Sequence, residues 1–266
     1  MKTEQKQLPI RYSCYYTHSR AGEQFIQEHA LSYIVSGTFK INDGIHTEIF
    51  HKGDVCFCRR NQLAKYQKYP EPGGEFKSIS VFFEQHTLRN FSLEYSQHSA
   101  GHIVSPAFQR LSSGGILANY MESLKTYEHL LSQKGAAELL AIKQKEAILI
   151  LLQFNPELKD VLFDFTEPAK IDLESFMNKN FHFNVELPRF AYLTGRSLST
   201  FKRDFDKIFN ATPSKWLLKR RLQEAHYMIK EKRQAVSDVY IRLGFEDLSH
   251  FSFAFKKQYG IAPSLI

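Results

Sequence analysis

The sequence predicts an α+β protein: a β-rich N-terminal domain with a helical hairpin, followed by an all-α domain built from two helix-turn-helix units. Three observations predict it. Short β-rich segments punctuated by turn residues occupy positions 11–84, a helical period takes over from Ile116, and the last third of the chain repeats itself at an offset of 50 residues. At about 100 to 200 residues per domain, 266 residues make roughly two domains. The divisions are drawn at 1–110 for a β-rich, barrel-like domain, 111–167 for a helical segment and linker, and 168–266 for the repeat domain.

The strands come first. Segments 12–17, 30–36, 38–42, 45–50, 54–58 and 76–83 are rich in β-branched and aromatic residues. Phe39 and Ile41 alternate with polar residues before Asn42-Asp43-Gly44, and Ile45, Thr47 and Ile49 alternate after it, which is a hairpin signal. Short strands between Gly-rich turns favour an antiparallel barrel or double-sheet roll over a parallel sheet. Helices follow. Ile116, Leu117, Tyr120, Met121, Leu124, Tyr127 and Leu131 recur at spacings of three and four, and a second helix runs over 136–154 after a connection at Gln133-Lys134-Gly135. Apolar residues lie on more than one face of that second helix, so the hairpin is expected to pair with a second copy of itself rather than merely cover the β-domain. Residues 155–170, with Pro156 and Pro168, read as the domain connection.

The repeat is the most specific signal. At an offset of 50, Leu198 matches Leu248, Ser199 matches Ser249, Phe201 matches Phe251, Phe205 matches Phe255, Lys207 matches Lys257 and Pro213-Ser214 matches Pro263-Ser264. Each copy follows a short helical pattern and a turn glycine, Gly195 or Gly244, with one extra residue in the second turn. Helix, glycine turn, helix is a helix-turn-helix arrangement. Ser197 and Asp247 are the expected N-caps. Phe201, Phe205, Phe251 and Phe255, four apart on each helix, are expected to pack inward. Between the copies, Thr212 and Pro213 start a helix over 213–229 with a stripe of Leu218, Leu222, Ala225 and Ile229. A rod of that length, roughly 25 Å, holds two reading heads a fixed distance apart. Major-groove faces on one side of a duplex recur about every 34 Å.

Charge agrees with this division. The chain carries 35 Lys+Arg and 28 Asp+Glu, yet residues 1–169 hold 18 of each sign while 170–266 hold 17 basic and 10 acidic. The whole excess of +7 therefore sits in the repeat domain, where it reads either as a docking surface for a polyanion or as solvated lysines. No apolar run approaches the about 20 residues that cross a bilayer, and the polar N-terminus lacks a signal sequence, so a cytoplasmic, non-membrane protein is expected. Three cysteines, Cys14, Cys56 and Cys58, are read as reduced thiols.

At this point the residues resemble a family. Arg221-Leu222-Gln223-Glu224-Ala225, then Val236-Ser237-Asp238-Val239, then Leu243-Gly244-Phe245-Glu246-Asp247-Leu248-Ser249-His250-Phe251-Ser252 and its continuation over 253–264, resemble the signature of AraC/XylS-type bacterial transcription regulators. The resemblance covers about 173–264. It implies a double helix-turn-helix domain that binds double-stranded promoter DNA and usually activates transcription through RNA polymerase. It also implies a regulatory N-terminal domain, commonly a cupin-like barrel followed by dimerisation helices, hence a homodimer. The effector, a small molecule or a protein partner, is unknown from sequence.

The resemblance places Ser199, Thr200, Lys202 and Arg203 at DNA-contacting positions of the first unit. Arg203 is the strongest base reader, because a guanidinium donates two hydrogen bonds to guanine O6 and N7. Lys202 does likewise or binds phosphate. In the second unit the surface is Leu248, Ser249, His250 and Ser252, followed by Lys256. A position often filled by arginine carries Phe253, which is expected to pack within the helix, leaving backbone and shape contacts to dominate there.

Enzymatic readings find less support. Cys56-Phe57-Cys58 with His51 upstream invites a metal, yet strand alternation puts both sulfurs on one face and no further pair completes four ligands. No His-x-His pair occurs among the 11 histidines, and no phosphate loop or nucleophile elbow appears. No cofactor and no metal are expected. The rival reading is a cupin-like metabolic enzyme with a basic accessory domain.

Overall fold

The computed structural model describes residues 8–19, 24–103, 105–112, 115–130 and 136–266, so the connection at Gln133-Lys134-Gly135, the helix position Leu131 and residues 1–7 lie outside the described residues. The fold is α+β, and the chain divides into two compact units, Met1–Thr166 and Glu167–Ile266.

The first unit contains β1 (Ile10–Tyr15), β2 (Phe25–Ile26), β3 (His29–Ser36), β4 (Thr38–Asn42), β5 (Thr47–Phe50), β6 (Val55–Cys58), β7 (Gln62–Leu63), β8 (Lys65–Tyr69), β9 (Phe76–Phe83) and β10 (Phe108–Leu111). An antiparallel sheet in the order β1-β9-β3-β6-β10 and a second in the order β5-β4-β8 share one core. Between them lie Phe39, Phe50, Phe76, Phe108, Cys56 and Cys58. The opposite face of the larger sheet presents Leu31, Tyr33, Val55, Phe57, Ile79 and Val81 to a helical layer. β6 is buried on both faces for that reason, which is why it reads as a continuous apolar run.

Strand alternation places the Cys56 and Cys58 sulfurs 3.7 Å apart in one core with Phe57 in the other, as the period of two requires. The hairpin differs from expectation by one residue. Phe39 pairs with Phe50, so Phe50 faces inward while Ile45 and Ile49 are exposed. The Asp43 carboxylate accepts from the backbone of Ile45 and His46, and this longer turn sets the register.

The helical layer comprises α1 (Gln85–Glu94), α2 (Ile116–Ser123), α3 (Ala136–Phe154) and α4 (Lys159–Leu162). α2 continues into a 3-10 turn over Leu124–Leu130, where the Ser123 and Thr126 hydroxyls donate to carbonyls three residues back. On α3, Leu140, Ala147, Ile148 and Leu151 bury against the sheet, and Gln144 donates to the Phe82 carbonyl. The helix thus covers the β-domain with one face; Leu139, Ile142 and Leu149 stay exposed on another. Residues read as a connection are partly core: Leu158, Val161, Leu162 and Phe163 are buried in the first unit. Arg60, itself buried, donates to the Asp164 and Thr166 carbonyls at 3.0 Å.

The second unit is all helical: α5 (Leu173–Asn180), α6 (Leu187–Leu193), α7 (Leu198–Phe209), α8 (Pro213–Lys230), α9 (Val236–Arg242) and α10 (Leu248–Tyr259). Among the described residues no helix is long and apolar enough to cross a membrane.

Candidate nucleic-acid interface

Two helix-turn-helix units, α6–α7 and α9–α10, flank α8. Both turns need glycine. Gly195 has φ +63° and Gly244 φ +79°, and a Cβ on Gly195 would lie 2.4 Å from the Ala169 carbonyl carbon and the Lys170 nitrogen. On Gly244 it would meet the His182 carbonyl oxygen at 2.6 Å. Caps then start the recognition helices. The Ser197 hydroxyl accepts from the Thr200 backbone at 3.2 Å, and the Asp247 carboxylate accepts from His250 at 2.6 Å. Thr212 starts α8 at the capping position without a side-chain hydrogen bond.

Aromatic packing orients each helix. Phe201, Phe205, Phe251 and Phe255 are fully buried, and Trp216 on α8 packs on Phe205 and Phe209, with ring centres 5.6 and 4.6 Å away. The stripe on α8 differs from expectation: Leu217 is buried and Leu218 exposed, because Leu217, Leu222, Ala225, Met228 and Ile229 form the inward face.

Burying those rings turns the opposite faces outward. On α7, Ser199, Lys202 and Arg203 are exposed, while Thr200 is half-buried with its hydroxyl accepting from Ser197 at 3.0 Å. Asp204 sits beside Arg203 but is engaged by Arg196, whose Nε donates to it at 3.1 Å. That bond, with the charges of Lys170 and Arg203, holds the Asp204 carboxyl below its ordinary range. Arg203 itself lies 3.8 Å from Asp204 with its side chain two-thirds exposed, so the guanidinium is held loosely and faces solvent.

On α10, Leu248, Ser249, His250 and Lys256 are exposed and Ser252 is half-buried. Phe253 corrects the sequence reading. It is 71% exposed, because Phe251, Ala254 and Phe255 already fill the inward positions and a residue two places from either phenylalanine points away.

Sequence reasoning named Arg221 within the family signature but missed its structural role. Its guanidinium is largely buried and donates to the carbonyls of Phe181 and Phe183 at 2.7 Å and of Gly244 at 3.4 Å. Burial lowers its pKa to about 10. An arginine on an amphipathic helix reads as surface, and the signal that would have found it is its place directly beside Leu222 and one turn before Ala225 on the inward stripe. Among the described residues no group of three or more His, Cys, Asp or Glu side chains is arranged to hold a metal.

Comparison with known proteins follows the same division. The family described as "Helix-turn-helix domain" matches residues 190–265, and that described as "ExsA N-terminal regulatory domain" matches 29–162. The HTH-type transcriptional regulator ExsA of Pseudomonas aeruginosa is 23% identical over 258 residues, 95% of this chain and 90% of that one. The virulence regulon transcriptional activator VirF of Yersinia enterocolitica is 25% identical over 146 residues, 54% of each chain. Among solved structures, a point variant of apo ToxT from Vibrio cholerae aligns over 97% of each chain with a TM-score of 0.46 and 11% identity. Matched over half its length by the regulatory-domain family and over its last quarter by the helix-turn-helix family, the chain belongs to the AraC/XylS family of DNA-binding transcription regulators.

Proposed function

We propose that the protein is a cytoplasmic activator that binds promoter DNA as a homodimer, acts through RNA polymerase and is controlled through its N-terminal domain. One observation carries the reading: the 50-residue repeat folds into two capped helices, α7 and α10, which flank α8 in the chain and bury their paired phenylalanines while leaving the opposite faces exposed. Eighteen residues at 1.5 Å make α8 about 27 Å long, suited to heads that enter successive major-groove segments. Ser199, Thr200, Lys202 and Arg203 form the first contact surface, and Leu248, Ser249, His250, Ser252 and Lys256 the second.

The exposed Leu139, Ile142 and Leu149 on α3 support a dimer seam, with residues 111–167 as the dimerisation segment and linker. Control by an effector rests on differential affinity for two arrangements of the DNA-binding units. Phe39, Phe50, Phe76 and Phe108 occupy the space between the sheets, which favours a protein partner on the outer surface over a small molecule inside. The relatives are transcription regulators, which supports a non-enzymatic role over a metabolic enzyme with a basic accessory domain.

Binding of the full chain to duplexes enriched from a random-sequence library tests this. Affinity is expected without added metal and to fall steeply with salt. Arg203→Ala is expected to relax base preference in one half-site by about 1–3 kcal/mol. Lys256→Ala is expected to weaken all sequences alike and flatten the salt slope by about one. Unchanged discrimination between enriched and scrambled duplexes in Arg203→Ala would remove the base-reading role.

A further inference from the structure

The two recognition helices come from one repeated pattern, yet they present opposite chemistry. At the 50-residue offset, Ser252 stands where Lys202 does and Phe253 where Arg203 does. Arg203 projects a guanidinium; Phe253 projects a bare phenyl ring that is 71% exposed, and Leu248 at the start of α10 is 44% exposed. Core packing does not account for them, since Phe251, Ala254 and Phe255 take the inward positions. Nor is the surface apolar throughout: Ser249 lies one turn before Phe253 and Lys256 about one turn after, on the same side of the helix.

An exposed ring on a recognition helix meets one apolar group in the major groove. Every base-edge feature there is a hydrogen-bond donor or acceptor except the C5-methyl of thymine. Leu248, five residues before Phe253, lies about 140° round the helix from it, so the ring at Phe253 is the apolar group on the face shared with Ser249 and Lys256. The hydroxyls of Ser249 and Ser252 are short enough to let the ring approach closely, and Lys256 and Lys257 supply charge for flanking phosphates.

We propose that the second unit reads thymine by its methyl group, with Phe253 as the apolar reader, while the first unit reads by hydrogen bonding through Arg203. This rests on α10 being a recognition helix, and it gives the protein a bipartite site: one half specified by polar edges, the other by thymine methyls.

Deoxyuridine tests it, because it keeps the pairing and groove-edge hydrogen bonds of thymine and lacks only the methyl. In a duplex enriched by the full chain from a random-sequence library, each thymine is replaced singly by deoxyuridine and affinity is measured by fluorescence anisotropy. One or two replacements in the half bound by the second unit are expected to weaken binding about fourfold each, as ~0.8 kcal/mol per buried methyl-sized group implies. Phe253→Ala is expected to lose that sensitivity while keeping the enriched sequence in the first half, and Arg203→Ala to retain it. Phe253→Arg, which copies the first unit, is expected to shift enrichment from thymine towards guanine. Wild-type indifference to deoxyuridine throughout that half would overturn the inference. So would a deoxyuridine effect that persists in Phe253→Ala, or a variant that binds DNA normally but fails to activate, which would assign the ring to a protein partner. Failure of the full chain to enrich any sequence would sink the DNA-binding reading as well.

Discussion

Glu28 and His29 are neighbours at the entrance to β3, and their surroundings push each of them towards the neutral form. Burial lowers the His29 imidazole to about 3, aided by the positive charges of Arg60 and Arg59 against an opposing Asp164. Its Nδ1 accepts from the Arg60 backbone at 3.2 Å, so the neutral ring is the one the fold uses. Burial and then repulsion from Glu84 raise the Glu28 carboxyl to about 7, with Arg60 partly offsetting them. The folded chain therefore holds the Glu28 proton more tightly than the unfolded one. The stability linked to that proton is complete below pH 4.5 and lost as pH rises to about 7. His29 acts oppositely, its contribution being present above pH 6.5 and lost on acidification towards 3. Glu28→Gln removes the first effect and leaves the second. The variant's melting temperature is expected to gain on wild type between pH 5 and pH 8. An unchanged difference at the two pH values would refute the assignment.

Among the elements, the turns of the second unit set the strictest requirement. Gly195→Ala places a Cβ 2.4 Å from backbone atoms of Ala169 and Lys170, which cannot swing aside as a side chain end can. Gly260, the left-handed residue ending α10, has φ +76°, and a Cβ there would meet nothing within 4 Å. Gly260→Ala should thus cost about 1–2 kcal/mol from backbone strain alone, and Gly195→Ala about 3 kcal/mol or more, read from chemical denaturation. Equal costs would mean the close approach at Gly195 relaxes freely. These turns are legible in the sequence because cap and paired phenylalanines recur at an offset of 50 residues, each behind a glycine two or three places before the cap. The full extent of α3 is legible too, through sustained helical periodicity. α1 is not, since Gln85–Glu94 buries just Leu88, Phe91 and Ser92, too few apolar positions to declare a period. β8, Lys65–Tyr69, escapes notice because every residue in it is half-buried and no alternation survives. In the site, the exposure of Ser199, Lys202 and Arg203 on α7 is legible from the spacing of the buried Phe201 and Phe205, whereas their role towards DNA rests on the family resemblance. Phe253 is misread because hydrophobicity alone argues for burial, whereas the helix has no inward position left for it.

For the whole molecule, net charge is divided unevenly along the chain, while exposed apolar side chains occur in both units. The first unit is nearly neutral and carries the exposed apolar stripe on α3, while the second carries the positive excess. Ile142 is 62% exposed on a helix whose Leu140, Ala147 and Ile148 are fully buried, so changing it spares the core. Ile142→Glu is expected to raise the dimer dissociation constant at least tenfold in sedimentation experiments. Affinity for a single site should then hold, while affinity for paired sites falls by about a hundredfold as the avidity of a linked pair is lost. A monomeric wild-type chain at micromolar concentration would rule out this seam.

Arg221 gives the repeat a different meaning. One guanidinium bonds the carbonyls of Phe181 and Phe183, ahead of the first helix-turn-helix, and that of Gly244 in the turn of the second; from α10, the Tyr259 hydroxyl returns to the Leu222 carbonyl at 3.3 Å. The motif stands twice in the chain, and through α8 these bonds tie the segment before the first copy to the turn of the second. Removing either end would leave α8 with bonding groups unpaired, the Arg221 guanidinium among them, so the two units are expected to unfold together.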